Sequence, residues 1–277
     1  MSGIQDLAGK TAVVTGGASG IGKGIARRLR EEGMQVVIAD IERGALDTSA
    51  AEIGAVAVET DVSSLESVQA LGQAALDRFG TVHVVCNNAG IGSGARVADM
   101  RAADWDWILG VNLMGVIHGI EVFLPLLEAN PEGGHLVNTA SMSGLRVRPR
   151  AGGYAVSKFG IVALSETLAM ELAAEGSKVG VTVLCPGMVH TNIKSSTRNR
   201  PDALAGGALA DYDIATSELG ARMRWLGPDD VGRTVVDAIR RGELYAITHP
   251  EQIGEVEERH RRIEAAFRGA AREAQGA

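Results

Sequence analysis

From residue 11 onward, short runs of β-branched and apolar residues alternate with segments whose apolar positions recur every three or four residues. Residues 11–15 (TAVVT) form an unbroken apolar run that reads as a buried strand. Ile21, Ile25 and Leu29 then mark one face of a helix that Gly33 ends. The strand signal returns at 35–39 (QVVIA), 55–59, 82–86 (VHVVC), 135–139 (HLVNT), 179–185 and 244–248. Helical patterns fill 42–53, 104–128 and 154–174. One more helix is predicted to start at a Ser63/Glu66 capping box and run to residue 79, and another has Pro228 in its first turn. Strands that are apolar throughout are buried on both faces, and strand–helix alternation supplies the cover. The expected fold is therefore α/β: a single doubly wound parallel sheet, Rossmann-like, with helices on both faces and right-handed crossovers. It is expected to occupy residues 1–250 as one catalytic domain, followed by a helical extension over 251–277.

Bulk properties remove several classes of function. The formal charge of −7 argues against a nucleic-acid partner, which calls for a basic footprint. Cys86 and Cys185 form no CxxC and no zinc-type cluster, so both are expected to be reduced core residues of a cytoplasmic protein, and no metal site is expected. Residues 1–10 lack the apolar stretch of a signal peptide, and no membrane span is expected.

Between the first strand and the first helix lies TGGASGIG, residues 15–22. Gly16, Gly20 and Gly22 give the spacing GxxxGxG, with Ser19 and Ile21 between them. Glycines there let the backbone turn tightly and approach a pyrophosphate, which the free N–H groups of the helix start can then bind. Asp40 closes the second strand, 18 residues past Gly22. A carboxylate at that point accepts hydrogen bonds from an adenosine ribose and repels a 2′-phosphate. The expected cofactor is NAD rather than NADP. Arg43 dissents, but is read as a solvated charge.

Tyr154 and Lys158 are four apart on a predicted helix and share a face, and Ser141 follows the fifth strand. A Tyr-xxx-Lys pair alone is usually a surface contact. In combination, TGGASGIG, NNAG (residues 87–90), Ser141…Tyr154-xxx-Lys158 and Pro186-Gly187 resemble, in order and spacing, the short-chain dehydrogenases/reductases, over residues 8 to 250. The glycine spacing is that of the family's shorter-chain branch. The resemblance implies that Tyr154 is the general acid/base, that Lys158 binds the nicotinamide ribose, that Ser141 holds the substrate oxygen, and that Asn112 holds a proton-relay water. It also implies an adenine contact at Asp61 and Val62, and a loop of Asn87, Asn88, Ala89 and Gly90 beside the adenosine ribose. Pro186, Gly187, Val189 and Thr191 are implied around the nicotinamide. A cation about 4 Å from a phenol contributes roughly 1 to 4 kcal/mol, so Lys158 is expected to bring Tyr154 down from its ordinary pKa of about 10.

The implied activity is hydride transfer between NAD(H) and a secondary alcohol or ketone. The alternatives weighed are an NADPH-dependent 3-oxoacyl-type ketoreductase, which Asp40 opposes, and a dinucleotide sensor that has lost its chemistry, which the presence of Ser141, Tyr154 and Lys158 opposes. Residues 191–226 are too long for a plain connection and are expected to form a substrate lid. Arg146, Arg148, Arg150, Lys194, Arg198 and Arg200 fall in two stretches free of acidic residues, which suggests an anionic small-molecule substrate. VNLMGVIHG, STRNRP and LYAITHPE also resemble bacterial lignin-ether benzylic alcohol dehydrogenases and suggest a bulky or aromatic alcohol. The family implies a homo-oligomer, typically a tetramer. In the extension, Ile253, Val256, His260, Ile263, Phe267 and Ala270 make a helical stripe expected to pack on its own domain or on a neighbouring subunit.

Overall fold

The computed structural model describes residues 3–276, apart from the side chains of Leu219 and of residues 272–276. Seven strands, β1 (Thr11–Thr15), β2 (Gln35–Asp40), β3 (Val56–Glu59), β4 (Val84–Asn87), β5 (Gly134–Thr139), β6 (Val179–Cys185) and β7 (Tyr245–Ile247), form one sheet. All pairings are parallel and the order is β3-β2-β1-β4-β5-β6-β7. The helices are α1 (Gly20–Glu31), α2 (Arg43–Ile53), α3 (Leu65–Phe79), α4 (Ala102–Leu109), α5 (Gly115–Ala129), α6 (Gly152–Ala174), the single turn α7 (Glu218–Ala221), α8 (Pro228–Arg241) and α9 (Ile253–Gly276).

The unbroken apolar strands serve two cores at once. Val14, Ile38 and Cys86 face the layer of α1 and α8, packing with Ile25, Leu29, Val235 and Ile239. Their neighbours Val13, Val37 and Val85 point the other way, onto Leu71, Phe123 and Leu168 of α3, α5 and α6. The period of two along each strand thus fills both faces.

Four expectations change. The cap of α3 is Ser64, whose Oγ accepts from Ser67 N at 3.3 Å. Ser63 is instead held by Asp61 Oδ1, which accepts from its N–H at 2.9 Å and its hydroxyl at 2.7 Å, so the cap moves to Ser64 and the Ser63/Glu66 capping box does not form. The single helix expected over 104–128 is interrupted by a π-helical turn at Gly110–Met114. The whole Ala102–Ala129 stretch is also long and apolar enough to cross a membrane by length and composition, contrary to expectation. Here it serves the fold: Val116, Phe123 and Leu127 are in the core, and Asn112 is fully buried. Finally, α9 forms as expected, but its stripe packs only at Val256, against the Ile161–Val162 region. Ile263 and Phe267 are exposed, so the stripe does not cover its own domain.

Candidate active site

β1 and β4 are neighbours in the sheet but not in sequence, because the chain leaves β3 at one edge and returns to the middle. Ligands of doubly wound folds bind outside the carboxyl ends of the strands at such a reversal. A continuous cleft opens there, running from Asp40 at the end of β2 to Tyr154 on α6.

The glycine loop forms its floor. Gly16 (φ 67°) and Gly20 (φ 54°) adopt left-handed backbone, which side chains other than glycine rarely take up. Gly22 does not line the cleft. A Cβ on it would lie 2.1 Å from Gly16 O, so its role is to let the helix start close onto the loop. Ser19 precedes α1 without capping it by its side chain, leaving the first N–H groups to the cleft. Thr191 reaches over from the far side, its Cγ2 3.0 Å from where a Cβ on Gly20 would be.

Asp40 Oδ2 accepts from Ala18 N at 3.1 Å and Oδ1 from Glu42 N at 3.1 Å, fixing the carboxylate toward the cleft. Burial pushes its pKa up, partly offset by these backbone bonds. Asp61 and Val62 line the same end. Arg43 stays outside, paired with Asp47 at 2.9 Å on the exposed face of α2.

The 87–90 loop is pinned by Thr15, a residue the motif contains but whose task was not foreseen. Its Oγ1 accepts from Asn88 N (2.9 Å) and Ala89 N (3.0 Å), and Asn88 Nδ2 donates to Thr15 O at 2.9 Å. Asn88, Ala89 and Gly90 line the cleft as expected. Asn87 does not: it turns into the sheet and donates to Asn138 Oδ1 at 3.0 Å. The Asn112 side chain also faces away from the cleft. It accepts from Ile91 N (2.8 Å) and donates to Ile91 O (3.0 Å) and Ser157 Oγ (3.2 Å). Its amide ties the π turn to the cleft loop next to Gly90.

At the other end, Tyr154, Lys158, Thr139 and Pro186 meet. The Lys158 ammonium is 5.6 Å from the Tyr154 ring centre and donates to Thr139 O at 2.8 Å. Burial lowers its pKa to about 8. Burial raises the Tyr154 phenol, while a hydrogen bond with Ser141 pulls it back. The expected lowering of Tyr154 by Lys158 is therefore not what the protein alone provides, because desolvation dominates both groups. Ser141 itself accepts from Ser143 N at 3.1 Å. Gly187 and Val189 sit behind the cleft: Gly187 N donates to Thr248 Oγ1 (3.1 Å) and His249 Nδ1 (3.2 Å), and Val189 pairs with Leu226.

The basic stretches do not form an anion site. Arg146 and Arg148 pair with Glu255 of α9 (3.2 and 2.7 Å), Lys194 with Asp213 (2.7 Å), Arg198 with Glu42, and Arg200 with Asp104 (2.8 Å). Arg150 is exposed and lies outside the cleft lining. Among the described residues no group of acidic, histidine or cysteine side chains could hold a metal.

A glycine cradle at a helix start, a carboxylate closing the second strand, and a buried Tyr–Lys pair at the far end define a dinucleotide-binding oxidoreductase site. The chain belongs to the short chain dehydrogenase family, whose model matches residues 10–202, and is an oxidoreductase acting on CH–OH groups. Its fold superposes on a short chain dehydrogenase/reductase from Burkholderia phymatum in complex with NAD, with TM-score 0.87 and 40% identity, covering 95% of this chain and 97% of that one. It is 34% identical over 237 residues to the 3beta-hydroxysteroid dehydrogenase 2 of Eggerthella lenta, covering 82% of this chain and 90% of that one. It is 28% identical over 255 residues to the C alpha-dehydrogenase of a Sphingobium strain, covering 90% of this chain and 83% of that one, which bears out the second resemblance.

Proposed function

We propose that this enzyme oxidises a secondary alcohol, or reduces the corresponding ketone, with NAD(H), Tyr154 carrying the proton. The observation that carries the reading is the meeting of Tyr154 and Lys158, with Ser141 bonded to the phenol, at one end of a cleft whose other end is a glycine cradle. The cradle fits a dinucleotide: Gly16 and Gly20 have left-handed backbone, and Gly22 lets the start of α1 close onto that loop so that its free N–H groups face a pyrophosphate. Asp40, Glu42 and Asp61 give the adenosine end an acidic lining, with Arg198 already paired to Glu42, which favours NAD over NADP. The NAD complex of the Burkholderia phymatum relative supports the same choice.

When bound, the nicotinamide supplies the hydride acceptor or donor. The remaining work falls to the protein. Tyr154 Oη gives its proton to the developing alkoxide in reduction and takes it in oxidation. Ser141 Oγ donates to the substrate oxygen. Lys158 Nζ, oriented by Thr139 O, presents its other protons to the cofactor side. Asn112 keeps the Ile91 loop in place beside them. Residues 191–226 act as the lid and 251–277 as a separate extension of the 1–250 catalytic domain. The apolar residues Met114, Val156 and Met170 are exposed on the π turn and α6, which supports a homo-oligomer, taken as a tetramer, built on that face. The buried free thiols of Cys86 and Cys185 fit a reducing, cytoplasmic setting.

The test is Tyr154→Phe. Turnover should fall by at least about 10²-fold, the lower end of what a positioned acid/base contributes, with NAD affinity by calorimetry nearly unchanged. Turnover retained in that variant would overturn the assignment.

A further inference from the structure

The two ends of the cleft differ in character. Tyr154 packs in an apolar cluster with Ile91, Trp107 and Val111, and all four residues also line the cleft. The surface beside the phenol is therefore hydrocarbon and indole. Trp107 is 3% exposed, and the guanidinium of Arg200 lies over its ring at 5.1 Å. Arg200 is in turn held by Asp104 at 2.8 Å.

Asp104 is fully buried and accepts from Arg101 N (3.0 Å), Ala208 N (2.8 Å) and Leu209 N (3.2 Å). Asp104 and Trp107 belong to α4, whereas Arg200, Ala208 and Leu209 belong to the 191–226 segment. One buried ion pair thus joins that segment to the wall beside Tyr154. Gly207 is part of the joint, since a Cβ on it would lie 1.9 Å from Asp104 Oδ1.

Charge completes the description. Among the described residues that line the cleft, Lys158 is the only cation without a carboxylate partner, and its ammonium is buried and bonded to Thr139 O. A carboxylate or phosphate on the substrate would leave water for an apolar wall where the one unpaired cation, Lys158, is bonded to Thr139 O and turned to the cofactor side, which is costly. A flat neutral ring would lose only water and gain contact with an indole whose position is already fixed.

We propose that the substrate is an uncharged secondary alcohol, or its ketone, carrying a flat aromatic or alicyclic ring beside the carbinol carbon. In this reading Trp107 is a specificity-determining residue, and Asp104 and Arg200 are the positioning pair that sets its ring. The inference rests on the proposed function, and the experiment separates the two.

The probes are 1-(4-methylphenyl)ethanol and its anionic match, 4-(1-hydroxyethyl)benzoate, assayed with NAD. The neutral alcohol should have the higher kcat/KM by about tenfold or more. Trp107→Phe and Arg200→Lys should both raise KM for the neutral alcohol more than they lower kcat. Calorimetry should show weaker binding of 4-methylacetophenone to the NADH complex of both variants, with NADH affinity unchanged. Either variant suffices should the other fail to fold. Equal kcat/KM for the two alcohols, or ketone binding indifferent to both substitutions, overturns the inference while leaving the proposed function standing. Absence of turnover with any secondary alcohol, despite NAD binding, overturns the proposed function and the inference with it.

Discussion

Replacing Lys158 with methionine isolates the energetic cost of the site. The lysine is 3% exposed, and burial lowers its pKa from 10.5 to about 8. A lysine whose folded-state pKa lies below its unfolded value opposes folding wherever it is charged. The penalty is complete below about pH 8 and gone above about pH 10.5; at about 1.36 kcal/mol per pH unit between those values it amounts to about 3 kcal/mol. Methionine keeps an apolar stem and removes the charge. It also forfeits the 2.8 Å bond to Thr139 O, a loss of about 1 to 3 kcal/mol for a buried carbonyl. That loss and any repacking are independent of pH, so the pH dependence reports the charge alone. From about pH 7 to about pH 9.5 the wild type should gain about 2 kcal/mol relative to Lys158→Met, because its penalty falls from about 3 to about 1 kcal/mol. Urea unfolding of both proteins without nucleotide, at matched protein concentration, gives the difference directly. A gap between the two that stays constant over this range, or moves the other way, refutes the argument that Lys158 is a buried uncompensated ammonium.

The other expectations concern the loop, the cofactor and the phenol. Gly22→Ala puts a Cβ 2.1 Å from Gly16 O, and overpacking of this kind costs about 1 to 3 kcal/mol. Its thermal midpoint should fall and its NAD affinity should fall further, so a variant with normal NAD binding would show that the close approach is not needed. Asp40→Ser removes a charge facing the adenosine end, and the NAD-over-NADP ratio of kcat/KM should drop by about tenfold or more, given about 1 to 4 kcal/mol per charge pair near 4 Å; an unchanged ratio would shift the discrimination to Glu42 and Asp61. Burial holds the Tyr154 phenol above its ordinary pKa, so alcohol oxidation, which needs the phenolate, should rise with pH from neutrality up to that raised pKa, while ketone reduction, which needs the phenol, should hold until the pH passes it. Oxidation that slows as the pH rises would contradict Tyr154 as the base.

Much of this site is legible in the sequence because most of its parts sit at strand ends, which buried apolar runs announce, and Tyr154 lies in the first turn of the helix after β5. Gly16, Asp40, Asn88 and Tyr154 all reach one cleft through the sheet order alone. What the sequence hid depends on partners far along the chain. The stretches around Arg148 and Arg198 look basic because Glu255 and Glu42 lie 107 and 156 residues away. The π turn at Gly110–Met114 leaves no mark on the apolar period, since one wide turn displaces the helix face by too little. Ser63 and Ser64 are equally good caps on paper, and only the bonds from Ser63 to Asp61 decide between them. The stripe on α9 shows the reverse failure: periodicity gives the helix but not what covers it.

Two buried charges near the cleft are treated in opposite ways. Asp104 would be raised by burial, but bonds from Arg101, Ala208, Leu209 and Arg200 more than offset this and hold it at about 2. A carboxylate satisfied that fully is structural: it joins two segments and needs nothing further. Lys158 has only a neutral carbonyl, which orients its ammonium without neutralising it, and its pKa falls to about 8. Stability alone would replace it with an apolar residue, as the methionine variant is expected to show. A group retained against about 3 kcal/mol of folding free energy, in a cleft and beside a buried phenol, marks where a ligand completes the site. The charge the fold leaves unpaired, rather than the one it satisfies, is the better pointer to function.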